Sequence, residues 1–297
     1  MYDLFGMPED AVYLRELAGK ERKAINDKFW NEEKGVYEDN LHFLVDEPPV
    51  LLDVNCYAIL FGIADEQKTR RILAYIRQEM WGPFGTTTLD RRIERVQVTV
   101  KYYALMHRVN AAPDPSAAVL EAMYPHNKQV WPFVVGYEVQ ARFQAGDVDG
   151  ALEMIHTCWS NPAYDETDSY WEMFDIDAQT FAPHTLAYGS GPDDDCFNSA
   201  AHGWSGWISF ILQSELLGVK PVEPGFAVAS VAPKTGRLHK VSGRVPTPQG
   251  VIRVSIEKDA QTYRCEITAP AGVTIRPEIS DAELGGRQKV VNMTVAE

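Results

Sequence analysis

The stretch TDSYWEMFD, residues 167–175, sets Glu172 beside Trp171 and crowds carboxylates around it. Two chemistries fit these residues. Ser169-Tyr-Trp-Glu172 has the spacing of a capping box, in which the serine bonds the third helical N–H and the glutamate reaches back to the serine N–H. A carboxylate against an indole wall is also what a sugar-cleaving site needs. Trp131, Trp171 and Trp204 each stand at a junction of loop and helix beside polar residues, in PHNKQVWPF, DSYWE and AHGWS. Rings at such junctions can face a cleft, where the apolar C–H face of a sugar packs on them. Trp159 and Trp207 fall on the apolar stripes of their helices and read as core. His202 precedes a glycine at the start of the last long helix; taken alone, it reads as a satisfied or solvated side chain.

Other chemistries lack their residues. No P-loop, G-x-G-x-x-G, G-x-S-x-G or H-E-x-x-H occurs, which argues against nucleotide cofactors, serine-hydrolase chemistry and zinc proteolysis. The aspartates at 193 to 195 match no EF-hand spacing and read as a solvated acidic loop. Cys56, Cys158, Cys196 and Cys265 are scattered singly, with no zinc spacing, and read as buried free thiols. No metal and no cofactor are expected. The reducing compartment suggested by the thiols, with no basic start or apolar h-region in MYDLFGMPEDAVYLRELAGK, favours a cytoplasmic location.

The scaffold for these side chains is written in hydrophobic period. The 297 residues suffice for a large domain plus a small one, and the net charge of −14 disfavours nucleic acid and anionic membrane surfaces as partners. Leu14, Leu17, Ala18, Ile25 and Phe29 repeat at helical spacing, as do Val54, Tyr57, Ala58 and Phe61. DEQKTRRILAYIRQEM and VQVTVKYYALMHRV predict further helices, and VWPFVVGYEVQARFQAG predicts one that stops at Gly146. Asp147 caps the next, with Val148, Leu152, Ile155 and Trp159 as its stripe; GWSGWISFILQSELLG puts Trp204, Trp207, Ile208, Ile211 and Leu212 on one side. About eight helices joined by short breaks signify antiparallel helical hairpins. The longer irregular stretches are Gly82–Asp90 and Asp175–Asn198. After GVKPVEPGF the period becomes two: Ile252, Val254 and Ile256, then Tyr263, Cys265 and Ile267, then Val291, Met293 and Val295. The expected organisation is a helical part over 1–218 and a small antiparallel β-sandwich over 219–297.

NKQVWPFVVGYEVQARFQAGD, YWEMFD, AHGWSGW and LLGVKPVEPGFAVASVAPKTGRLHKVSGRVPTPQGVIRVSI, in that order, resemble glycoside hydrolase family 78, the α-L-rhamnosidases. The resemblance runs from about Glu9 to the end. It implies a mainly α protein, an (α/α)6-barrel-type set of hairpins followed by the β-sandwich. It further implies inverting hydrolysis of terminal α-L-rhamnosyl linkages, with Glu172 as general base and Trp131, Trp171, His202 and Trp204 on segments lining the sugar site. The family's general acid lies in an Arg- and Glu-rich segment near W-x-G-D. Nothing here matches it; TLDRRIERVQV is nearest by composition but sits between the wrong helices. The expectation is therefore the C-terminal part of a catalytic module, an incomplete barrel weakly active by itself, associating with itself or with a partner chain that completes it. Two alternatives stand beside it: a non-catalytic barrel that binds sugar or a partner, and a helical-barrel glycosidase for another sugar.

Overall fold

The computed structural model describes residues 5–38, 49–91, 129–162, 164, 167–175 and 199–296. The predicted helix VQVTVKYYALMHRV and the acidic loop at 193–195 lie outside the described residues, as do Cys196 and all but the first residue of the irregular stretch Asp175–Asn198.

α1 (Pro8–Phe29) opens with proline at its first turn, where no N–H is needed. Of the stripe predicted for it, Leu17, Ile25 and Phe29 are half-buried, while Leu14 and Ala18 are exposed. In its C-terminal half Arg22 Nε donates to Gly62 O at 2.9 Å and Asn26 Nδ2 to Ile63 O at 3.0 Å; β1 (Trp30–Asn31) and β2 (Val36–Tyr37) then pair antiparallel.

Two hairpins follow. α2 (Leu52–Leu60) turns into α3 (Glu66–Tyr75), whose Asp65 cap accepts from Lys68 N at 2.8 Å, and α3 continues as a π-helical turn through Ile76–Met80. α4 (Pro132–Ala145) stops at Gly146, which sits at φ 80°, a conformation glycine adopts without steric cost. α5 (Val148–Trp159) starts from Asp147, which accepts from Gly150 N at 3.2 Å. Its fully buried positions are Ala151, Met154 and Cys158, flanked by Leu152; Val148, Ile155 and Trp159 of the predicted stripe pack at its margin. The final rod mixes three helical types: a 3₁₀ turn Gly203–Trp207, α6 (Ile208–Ile211) and a π turn Leu212–Leu216.

α2 and α4 lie side by side and run the same way. Near their C-terminal ends Gln144 Nε2 donates to Ile59 O at 3.0 Å; midway the Tyr57 and Tyr137 rings stand 4.7 Å apart. Their N-terminal ends are laced by a ribbon of short backbone pairings. β3 (Trp81–Gly82) and β4 (Gly85–Thr86) form a tight hairpin, and the chain then bridges Thr87 to Val130 and Leu89 to Leu51. Val130 belongs to β5 (Gln129–Val130), which pairs antiparallel with β6 (Phe174–Asp175). The stretch Gly82–Asp90 is thus stitched, not structureless, since its backbone groups are spent on the starts of α2 and α4.

A charged cluster sits under this ribbon. Glu138 is fully buried; it accepts from Trp81 Nε1 at 2.7 Å, from Arg142 Nε at 2.7 Å and from the Thr86 hydroxyl. Arg142 also holds Asp147 and reaches Leu73 O at 3.3 Å. Desolvation works against the Arg142 charge, but the Glu138 and Asp147 carboxylates outweigh it and hold its pKa above the ordinary value.

The C-terminal part is two sheets on one core. β9 (Lys240–Thr247), β10 (Gly250–Lys258), β11 (Thr262–Ala269) and β13 (Gln288–Val295) stand in the order 13-11-10-9; β7 (Val219–Pro221), β8 (Val228–Val231) and β12 (Thr274–Pro277) stand as 12-8-7. Ile252, Val254, Ile256, Tyr263, Cys265 and Ile267 face Val219, Ala229 and Val231 across the interior, as their alternation requires. One expectation is corrected: the sheets are mixed, because β11–β13 and β12–β8 pair parallel. β13 is an edge strand; its Val291, Met293 and Val295 share the face of Cys265, Ile267 and Ala269, but Met293 (57% exposed) and Val295 (69%) stand uncovered there. Lys234 fastens this part to the helices, donating to Phe143 O at 3.0 Å and Glu215 Oε2 at 2.8 Å.

Candidate active site

Glu172 stands where the ribbon meets the last helical rod. Thr167–Asp175 is not a helix start, so the capping box does not form. Ser169 Oγ donates instead to Ala200 O at 2.6 Å, and Glu172 N donates to Ser199 O at 2.8 Å. The glutamate is freed from a capping role because its own backbone is paired with the chain leading into Gly203. One carboxylate oxygen, Oε2, accepts from Ser199 N at 3.1 Å and lies 3.9 Å from His202 Nδ1. Among the described residues, Oε1 takes no hydrogen bond. Both side chains are partly open to solvent, 18% for Glu172 and 23% for His202.

The rings divide into two sets. Trp204 is 65% exposed, edge-on to His202 with centroids 5.6 Å apart, and against Phe133 at 4.9 Å. Trp131 is half-buried at the start of α4, its indole N–H on Gln129 Oε1 at 3.2 Å. Trp171 is in the core. It is 5% exposed, packs edge-on to Tyr164 and donates to Thr167 Oγ1 at 2.8 Å, so it backs the carboxylate's segment from within. The structure therefore brings Glu172, His202 and Trp204 together on one surface. Trp131 stands just past β5, at the start of α4.

Residue types alone did not point to Phe133, Tyr137 and Tyr57. These rings continue the line from Trp204: Phe133–Tyr137 are 5.1 Å apart and Tyr137–Tyr57 4.7 Å. The i, i+4 spacing of Phe133 and Tyr137 is legible in the sequence, but not the facing of α2 and α4 that adds Tyr57 to the same wall. Among the described residues no cluster of three His, Cys, Asp or Glu could hold a metal ion.

The family model described as amylo-α-1,6-glucosidase matches residues 6–178, more than half of the chain. The one described as bacterial α-L-rhamnosidase C-terminal domain matches residues 218–292. The chain belongs to the amylo-α-1,6-glucosidase family and resembles glycoside hydrolase family 78 in its rhamnosidase-type C-terminal domain. A curated α-L-rhamnosidase of Alteromonas sp. (strain LOR) is 28% identical over 136 residues, covering 44% of this chain and 14% of that protein. In fold, the chain is similar to the solved α-L-rhamnosidase of Dictyoglumus thermophilum, with TM-score 0.55, 16% identity, and 94% of this chain on 24% of that one. The Aspergillus terreus α-L-rhamnosidase gives TM-score 0.52 at 13% identity, over 86% of this chain and 23% of that one. This chain thus spans a quarter or less of the length of these relatives.

Proposed function

We propose that this chain carries the general-base half of an inverting α-L-rhamnosidase site. The observation that supports it is the Glu172 carboxylate. Oε2 accepts from the Ser199 N–H, Oε1 takes no hydrogen bond among the described residues, and the partly exposed side chain stands by His202, which packs edge-on to the strongly exposed Trp204. A fixed, ionised carboxylate with a free oxygen is what deprotonates a water attacking an anomeric carbon. Trp204, with Phe133 behind it, offers an apolar face to the methyl and C–H face of a 6-deoxy sugar, His202 offers a ring nitrogen to its hydroxyls, and Trp131 flanks them. Trp171 keeps the segment in place from the core. An inverting reaction needs a second, protonated carboxyl roughly 6.5–9.5 Å from the first, with the water between base and sugar. The family's acid motif has no match in this sequence, so turnover by this chain alone is weak.

In this reading α2, α4 and the rod 203–216 are parallel inner helices of an (α/α)6-type barrel, and α3 and α5 are the outer returns. The domains are 1–218 and 219–297. Phe61, Trp204 and Phe210 are 68%, 65% and 58% exposed, and this apolar surface is closed by a second copy or by a chain supplying further helices.

A second reading is favoured by the match of residues 6–178 to the amylo-α-1,6-glucosidase model: the site accepts a glucosyl unit. A panel of nitrophenyl glycosides separates the two. Release from the α-L-rhamnoside alone supports the first; release from the α-D-glucoside in its place supports the second.

A further inference from the structure

We infer that Ser169 is a positioning residue, the side-chain bolt of a clamp that holds the Glu172 carboxylate and the His202 imidazole in fixed relation. The inference rests on the reading of Glu172 as the base. Two segments far apart in sequence are joined here. His202 N donates to Tyr170 O at 2.8 Å and Glu172 N to Ser199 O at 2.8 Å. Ser199 N in turn donates to the Glu172 side chain at 3.1 Å. Every one of these bonds begins or ends on a residue of the proposed site, yet none is a regular strand ladder that would hold by itself.

Ser169 adds the only side-chain-to-backbone bond from its segment to the facing carbonyls among the described residues. Its hydroxyl has one proton to give. Ala200 O, at 2.6 Å, is the better acceptor; Thr167 O, at 3.2 Å, is the local alternative. The turn before it is shaped to deliver that proton across. Asp168 sits at φ 50°, a left-handed conformation that aspartate tolerates better than most residues. Thr167 is fixed in turn by the Trp171 indole N–H at 2.8 Å. Buried Trp171 thus anchors the turn, the turn aims Ser169, and Ser169 holds the 199–202 segment whose N–H orients the carboxylate.

Without the bolt, Ala200 O loses its donor, and among the described residues no side-chain-to-carbonyl bond then ties the 167–170 turn to the 199–202 segment. The Ser199 N–H that fixes Glu172 then opens more often. Amide hydrogen exchange by NMR on the whole chain reads this directly, in Ser169→Ala and in the hydroxyl-retaining Ser169→Thr. Loss of one such hydrogen bond is expected to speed exchange at the Ser199 and His202 amides about fivefold. The His202 ring signals move with it, and exchange in β10 and β11 stays as in wild type. Ser169→Thr restores the wild-type values. Unchanged exchange at Ser199 and unchanged His202 ring signals in Ser169→Ala would overturn the proposal. So would failure of Ser169→Thr to restore them while β10 and β11 remain intact. The base reading is tested separately by hydrolysis with Glu172→Gln, so it can fail while the exchange result stands, and the reverse.

Discussion

A carboxylate becomes a base by what it is kept from doing. As a helix cap, Glu172 would have spent an oxygen on the Ser169 N–H. Instead its segment pairs with 199–202, and among the described residues Oε1 takes no hydrogen bond. The residue types in YWE and AHGW mark a candidate site in the sequence, and the structure sets the two segments side by side. That Trp171 points into the core while Trp204 stands outside was not, since both are tryptophans at polar junctions. The difference is made by the partners each ring meets, the nearby Tyr164 for Trp171 and the sequence-distant Phe133 for Trp204. Close approach sets a second residue-scale constraint at Gly136. A Cβ there would lie 2.1 Å from Trp207 Nε1, and the ring beyond it is packed against Phe133 and Tyr137. Gly136→Ala is expected to cost about 1–3 kcal/mol by overpacking, measured as a lower midpoint in urea unfolding. An unchanged midpoint would mean that the Trp207 ring moves aside freely.

At the scale of elements, α4 holds the helical part together through charge. Glu138 and Arg142 are four apart, a spacing that in sequence reads as an exposed helix pair worth a few tenths of a kcal/mol. In the fold both are buried, because the hairpin of Trp81 and Thr86 closes over them. Periodicity locates α4 and its Gly146 stop, but says nothing of what later covers its polar face. Arg142→Met leaves a buried carboxylate without its cation and is expected to cost about 3–5 kcal/mol in chemical denaturation. The double variant Glu138→Gln, Arg142→Met should recover part of that loss, because it removes the uncompensated charge. Equal loss in single and double variants would mean that packing, not charge, decides the site. In the sheets, alternation locates β10, β11 and β13 and sorts their faces, but it does not tell that Met293 and Val295, on the core-side face of an edge strand, stay exposed.

At the scale of the molecule, two properties follow from what is buried and what is not. Burial pushes the Cys56, Cys158 and Cys265 thiols up, Cys265 to about 11, and burial with the Asp65 charge pushes Tyr37 to about 12. These groups hold their protons more tightly folded than unfolded. Their stabilising effect is complete below the unfolded thiol range, near pH 8.5, and is lost as pH rises toward the folded values. Thermal melts should therefore fall steadily from about pH 9 to 11, and the three thiols should resist alkylation until the chain unfolds. A flat melting profile across that range would contradict the burial. The exposed rings of Phe61, Trp204 and Phe210 are expected to drive concentration-dependent association in light scattering; a monomer at high concentration would argue that they need no cover. The central claim, that Glu172 is the base, is tested most directly by cleavage of 2,4-dinitrophenyl α-L-rhamnoside, whose good leaving group needs little acid assistance. The account predicts slow cleavage by the wild-type chain and a loss of about 10²-fold or more in Glu172→Gln, which keeps the shape but cannot take the proton. Cleavage by Glu172→Gln at the wild-type rate would contradict it.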